Sequence, residues 1–185
     1  MKGILMLYAS DIRDIEELQR VETAAARRFL AVPELAFLAS SGVTSKQTHA
    51  AAIENMLAWK VAGSDGRIQG FCYCERHEDS LYLAEISTHP DFQRQGVGAM
   101  LLAEVKRIGQ ALGVSQITLT TYRDVSWNGP WYGRHGFVVI NDAELTPALA
   151  CCLAHQREEG LMILPRCAMR YLLGEGKPPV GKPFL

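Results

Sequence analysis

The run His89-Pro90-Asp91-Phe92-Gln93-Arg94-Gln95-Gly96-Val97-Gly98-Ala99 constrains the fold of this chain more than any other segment. It stands between a strand-like stretch, SLYLAEIST at residues 80–88, and a helix-like one. In the latter, Val97, Met100, Leu101, Leu102, Val105 and Ile108 recur at helical spacing and the pattern stops near Leu112-Gly113. A polar turn that opens a helix leaves the first N–H groups without intrahelical partners, and the helix dipole stands behind them. Such a turn is an anion site. Glycine at 96 and 98 lets the backbone come close to a phosphate. Gln93, Arg94 and Gln95 add polar and cationic groups at the rim. No Lys-Ser/Thr pair follows the last glycine, so the Walker A loop is absent; Ala99 directly after Gly98 breaks the dinucleotide-binding fingerprint. Spacing alone leaves a pyrophosphate cradle and an ordinary glycine-rich helix start both open.

Around this run the pattern alternates between strand and helix. Gly3–Ala9 reads as a first strand, and Asp11 caps a helix whose apolar positions are Ile12, Ile15, Leu18 and Val21. Pro33 and Gly42 break the next stretch into a loop, which leads to a second helix near Gln47–Ala58. The strand WKVAG turns at Asp65-Gly66, a hairpin signal, into IQGFCYCER, and a turn at His77–Ser80 leads into SLYLAEIST. After the long helix come the strand QITLTTY, a short helix around Trp131–His135, a strand at Phe137–Ile140, a helix over Thr146–Glu159 and a last strand, CAMRYLL. The order β-α-α-β-β-β-α-β-α-β-α-β predicts a mixed sheet with helices on its faces.

A length of 185 residues suits one domain, expected over 1–173. The end from Gly174, GEGKPPVGKPFL, reads as a flexible tail over 174–185. The charge balance is 19 Lys+Arg against 20 Asp+Glu, a net charge of −1, which argues against a nucleic-acid partner held by bulk charge. No apolar run is long enough to cross a membrane, and acidic residues follow the N-terminal apolar stretch at once, without a small-residue cleavage site. A cytoplasmic protein with no membrane partner is the expectation. The cysteines number five, an odd count, which predicts reduced thiols; neither Cys72/Cys74 nor Cys151/Cys152 has zinc-site spacing, so no metal is expected.

The glycine loop resembles that of the GCN5-related N-acetyltransferases (GNAT). Gln93, Gly96 and Gly98 match the family pattern Gln/Arg-x-x-Gly-x-Gly/Ala. The segment Asn128-Gly129-Pro130-Trp131-Tyr132-Gly133-Arg134-His135-Gly136-Phe137 is similar to its Asn…Tyr-x-x-x-Gly-Phe motif. A helix and a strand join the two motifs, as the family requires. The resemblance runs over Gly3–Leu173 and is strongest from Ala84 to Phe137. The helix expected at Thr146–Glu159 departs from the plain family pattern, in which strands six and seven are joined more tightly, and this bears on the acceptor pocket.

The resemblance implies an α/β (α+β) fold: a mixed, mostly antiparallel central sheet of about seven strands, helices on both faces, strands four and five splayed. It implies transfer of an acetyl group from acetyl-CoA, as cosubstrate, to a primary amine by direct attack. Gln93, Arg94, Gln95, Gly96, Val97, Gly98 and Ala99 would hold the CoA pyrophosphate. Ile86, Ser87 and Thr88 would pair their backbone with the pantetheine arm, and Asn128 would hydrogen-bond that arm. Tyr132 is the expected general acid for the departing sulfur; its alternative is a residue that only packs and lines the pocket. The attacking amine must lose its proton, and Glu85 is the candidate base. Period-two alternation puts Glu85 on the face of Leu81, Leu83 and Ser87, and its alternative is a carboxylate paired with an arginine or solvated. Trp127 and Trp131 divide between acceptor lining and core packing, Glu22 and Arg28 are weaker acceptor candidates, and His89 and His135 read as surface residues. A small-molecule amine is favoured over a protein amine. A non-catalytic acyl-CoA-binding module is the other class of reading. The Thr146–Glu159 helix and the last strand could serve a homodimer.

Overall fold

The computed structural model describes residues 5–174. Within them β1 (Met6–Ala9), β2 (Ala58–Ala62), β3 (Ile68–His77), β4 (Ser80–Thr88), β5 (Gln116–Tyr122), β6 (Val138–Val139) and β7 (Arg166–Leu172) form one sheet in the order β1-β2-β3-β4-β5-β7-β6. The β4–β5 pair is parallel and the other five are antiparallel. The helices are α1 (Ile15–Ala26), α2 (Lys46–Glu54), α3 (Val97–Ala111), α4 (Gly129–Arg134) and α5 (Pro147–Glu158). The mixed, mostly antiparallel sheet is thus the one the sequence predicts. All but the first residue of the tail expected over 174–185, and the start of the first strand before Leu5, lie outside the described residues.

Two apolar layers explain the arrangement. On one face of the sheet Cys72, Cys74, Leu81, Leu83, Ile117 and Leu119 meet Leu101, Leu102 and Val105 of α3. On the other, Leu18 and Val21 of α1 and Ala52 of α2 cover Ile68, Phe71 and Tyr73, and Leu149 of α5 covers Tyr82 and Ala168. Asp11 opens the first helical segment with a capping box, its side chain accepting from Arg13 N while its own N–H donates to Asp14. The β2–β3 turn falls at Asp65-Gly66, where Gly66 has φ 79° and Asp65 accepts from Arg67 N.

Two irregularities in β4 shape the centre. The β3–β4 register pairs Tyr73 with Glu85 but Cys74 with Leu83, so Ala84 is an extra residue, a β-bulge. The β4–β5 ladder pairs only Ser80–Tyr82 with Gln116–Thr118, although both strands continue. Beyond it the strands part, as the resemblance implied.

Some boundaries differ from those the sequence predicts. The second helix ends at Glu54, because Met56 takes a left-handed φ of 58° and Ala58 already lies in the sheet, where its carbonyl accepts from Ser10 N. The expected loop after α1 is wound into two 3-10 turns, Arg27–Ala31 and Pro33–Ser40. The sixth strand shrinks to Val138–Val139, since Phe137 N is taken by the carbonyl of Tyr132. No helix among the described residues is long and apolar enough to cross a membrane.

Candidate active site

The parting of β4 and β5 opens a cleft of about 1250 Å³ that reaches both faces of the sheet. At one end lies the glycine loop. Gly70 holds it in place: a Cβ there would stand 2.6 Å from Val97 Cγ1 and 2.8 Å from the Ser87 carbonyl, so α3 starts hard against β3 and the end of β4. Arg94 (φ 60°) and Gly96 (φ 91°) both take left-handed backbone, and Gly96 caps α3. Among the described residues the N–H groups of 94–99 have no protein acceptor, which leaves them free for an anion. Gln93, Arg94, Gly96, Val97, Gly98 and Ala99 line the cleft; Gln95 is exposed and its amide bonds the Asp91 carbonyl instead.

Along the cleft, residues 83–88 of β4 have no strand beside them on the β5 side, so Ile86, Ser87 and Thr88 present an open backbone edge. Across the gap Asn128 caps α4. Its Nδ2 donates to Thr121 Oγ1 at 2.9 Å, while its Oδ1 is buried and unpartnered. A buried acceptor without a donor is costly unless a ligand supplies one. Residues 94–99, the β4 edge and Asn128 therefore fit an extended ligand that carries phosphates and amide groups.

Tyr132 sits at the centre. Gly129 lets α4 begin against the Arg123 carbonyl, where any Cβ would collide. The Tyr132 ring packs edge-on to Trp131 and Phe137, 5.0 and 5.6 Å between centroids, and lines the cleft. Its hydroxyl makes no hydrogen bond among the described residues. Burial, and then the charge of Glu85, push its phenol well above the usual range, so it holds its proton at neutral pH. Trp131 also packs on Gly98, joining the two motifs, while His89 and His135 bond backbone N–H and carbonyl groups nearby.

Glu85 stands elsewhere than simple alternation predicts. The bulge at Ala84 shifts the phase, so Leu81 and Leu83 face α3 while Glu85 faces α1 with its register partner Tyr73 and with Ser87. Ser87 Oγ donates to Glu85 Oε1 at 2.7 Å. No arginine pairs with Glu85 among the described residues. Burial, followed by the neighbouring carboxylate of Glu22, raises its pKa to about 7.

The wall beyond Glu85 contains residues that sequence reasoning passed over or ranked low. Glu22 Oε1 accepts from both the N–H and the hydroxyl of Thr44, each at 3.0 Å. Its Oε2 and the Nε2 of His49 are both buried and unpartnered, and lie 3.8 Å apart, too far for a hydrogen bond. His49 is wedged between the rings of Phe71 and Tyr73. Thr44, His49 and Tyr73 carry no local signal, because only the tertiary fold brings α2 and β3 to Glu22. Arg28 and Trp127 line the same cleft. Among the described residues no cluster of three or more His, Cys, Asp or Glu could hold a metal.

Residues 55–139 match a family model described as an acetyltransferase (GNAT) domain. Among solved structures the chain is similar to a PaiA N-acetyltransferase from Thermoplasma acidophilum in complex with coenzyme A. The identity is 16% and the TM-score 0.67, over 92% of this chain and 99% of that one. It is similar also to the ribosomal-protein-S18-alanine N-acetyltransferase from Escherichia coli, with 16% identity and a TM-score of 0.67 over 97% and 100% of the two chains. An N-acetylglutamate synthase from Neisseria gonorrhoeae, complexed with coenzyme A and N-acetyl-glutamate, has a TM-score of 0.66 at 14% identity, over 95% of this chain and 36% of that one. At these identities the likeness speaks for the fold.

Proposed function

We propose that the chain is a GCN5-related N-acetyltransferase, a reading supported by the domain match over residues 55–139 and by the fold, and that it moves an acetyl group from acetyl-CoA to a primary amine. The observation that supports this most is the β4–β5 gap, with unpartnered N–H groups at one end, an unpartnered Asn128 oxygen on its flank and Tyr132 at its centre. Coenzyme A is bound in two of the similar structures, the PaiA acetyltransferase and the N-acetylglutamate synthase. In this chain the N–H groups of 94–99 hold the pyrophosphate, helped by Arg94. The free edge of Ile86, Ser87 and Thr88 pairs with the pantetheine amides, as an added strand does. Asn128 Oδ1 accepts from an amide N–H of the same arm. An N–H of the β4 edge polarises the thioester carbonyl.

The proton balance falls to two side chains. Glu85 takes a proton from the acceptor ammonium, directly or through water, and leaves the nitrogen lone pair free to attack. As the N–C bond forms and the C–S bond breaks, Tyr132 gives its proton to the sulfur, and the second proton that the nitrogen sheds on becoming an amide returns through water to the Tyr132 oxygen. The acceptor on this reading is a small-molecule amine, supported by a cleft lined by β4, the 37–44 segment and residues 159–166. A protein amine is the second reading, supported by the similarity to an enzyme named for a ribosomal protein's alanine.

Thiol release from acetyl-CoA with a panel of amines, amino acids, polyamines and peptides tests the proposal. Release with at least one acceptor is expected. Binding of acetyl-CoA without release across the panel would favour a non-catalytic acyl-CoA-binding module, and no binding at all would sink the reading.

A further inference from the structure

The acceptor wall holds a group of side chains that acetyl transfer does not use. Phe29 lies 6.1 Å from Tyr122 and 5.8 Å from Trp127 between ring centroids. A guanidinium covers each end of this aromatic row. Arg28 Cζ lies 4.4 Å over Trp127, and Arg166 Cζ lies 4.4 Å over Tyr122. Arg166 is further held by α5: its Nε donates to Gln156 Oε1 at 2.9 Å, and Gln156 Nε2 donates to Thr120 Oγ1 at 2.8 Å. The Nη groups of Arg166 make no hydrogen bond among the described residues. Neither arginine forms an ion pair there; Glu159, the acid on the same wall, faces His155 at 3.2 Å. A guanidinium stacked on an aromatic ring, with its outer edge free, is arranged to grip a carboxylate or phosphate with two parallel hydrogen bonds.

We propose that Arg28 and Arg166 form an anion subsite, and that the acceptor is an amine that also carries a carboxylate or phosphate. This rests on the acetyltransferase reading and narrows its substrate. The sheet faces favour the acceptor as the source of the anion. Tyr122 shares a face with Thr120, whose hydroxyl bonds Tyr82 under α5, and α3 with its phosphate loop packs on the opposite face. Glu22 and Glu85 stand on the same face as Arg166. The wall thus has an acidic end for the ammonium and a basic end for the anion. Arg28 also feels the charge of Arg94, so the phosphates of CoA are the competing source.

Matched pairs of acceptors test this: histidine against histamine, tyrosine against tyramine, phosphoethanolamine against ethanolamine, with spermidine as a polycation. The wild type is expected to favour the anionic member of a pair by about tenfold or more in kcat/KM, the effect of a charge-assisted bidentate contact. Arg166→Gln should erase that preference through the acceptor KM and leave the acetyl-CoA KM unchanged; Arg166→Lys, which keeps the charge and the packing, should restore part of it. A wild type that prefers histamine, ethanolamine or spermidine overturns the proposal. So does a preference that survives in both Arg28→Gln and Arg166→Gln. A variant that raises the acetyl-CoA KM and leaves the acceptor preference intact would assign the arginines to the cofactor and overturn it too. If no amine releases thiol, the acetyltransferase reading fails by itself. Calorimetric titration of the same pairs into the CoA-saturated protein then decides the subsite: binding of anionic members that Arg166→Gln abolishes supports it, and no such binding overturns it.

Discussion

Glu85 shows how a neighbouring carboxylate, Glu22, can tune a base that has no paired cation among the described residues. Glu85 is half-buried, and the charge of Glu22 adds to the burial that raises its pKa to about 7. A base of that strength works only when deprotonated, so kcat/KM should fall as pH drops through about 7. Glu85→Gln should remove that acidic limb, and a limb unchanged in the variant would exclude Glu85 as the base. Glu22→Gln removes the like charge, so the limb should move to lower pH in the same profile. Stability follows the same proton. A carboxyl whose folded pKa lies above its unfolded value favours folding below the unfolded pKa and loses that contribution as pH rises through the folded one. The melting temperature of Glu85→Gln should therefore match the wild type near pH 4 and exceed it at pH 8. Tyr132→Phe should lower kcat about a hundredfold, the lower end of general-acid effects. The acetyl-CoA KM should stay nearly unchanged, and equal turnover at saturation would remove Tyr132 from the proton balance.

At the scale of elements, the glycine loop and the Asn128–Phe137 segment were legible because their chemistry is local. Free N–H groups, left-handed glycine and a capping asparagine are fixed by residues that are neighbours in the chain. The phase of Glu85 was not legible. Nothing in SLYLAEIST marks Ala84 as an inserted residue, and one such residue turns the rest of the strand over. The wall beyond Glu85 was hidden for another reason, since Thr44 and His49 meet Glu22, and Arg166 meets Tyr122, through contacts between distant segments. α5 was visible as a helix, but its use was not: Gln156 matters because Leu149 anchors the helix over Tyr82 and Ala168. Leu149→Ala should cost about 2–5 kcal/mol, read from chemical denaturation, through the cavity it leaves.

For the whole molecule, the described residues make one sheet, but the ladder between its two halves, β1–β4 and β5–β7–β6, pairs only three residues of each strand at one end. The order of elements and a mixed sheet with helices on its faces followed from the alternation of the sequence; the strand order did not. The acceptor did not follow, because the cleft wall around Glu22 and Tyr122 comes from segments with weak patterns. A ligand that fills the gap joins the halves. CoA at about a hundred times its Kd should stabilise the protein by about 2.7 kcal/mol, roughly 5–10 °C in Tm. Amide exchange should slow most at 83–88 and 94–99, and uniform protection across β1–β3 would argue against this site. The gap has a mechanical consequence as well. On the proposed reading the cosubstrate would be the missing plank of the sheet, so each turnover would pull a strand out of the middle of the protein. Grip and speed then oppose each other: a variant that seals the seam more tightly gains rigidity and loses its rate of release.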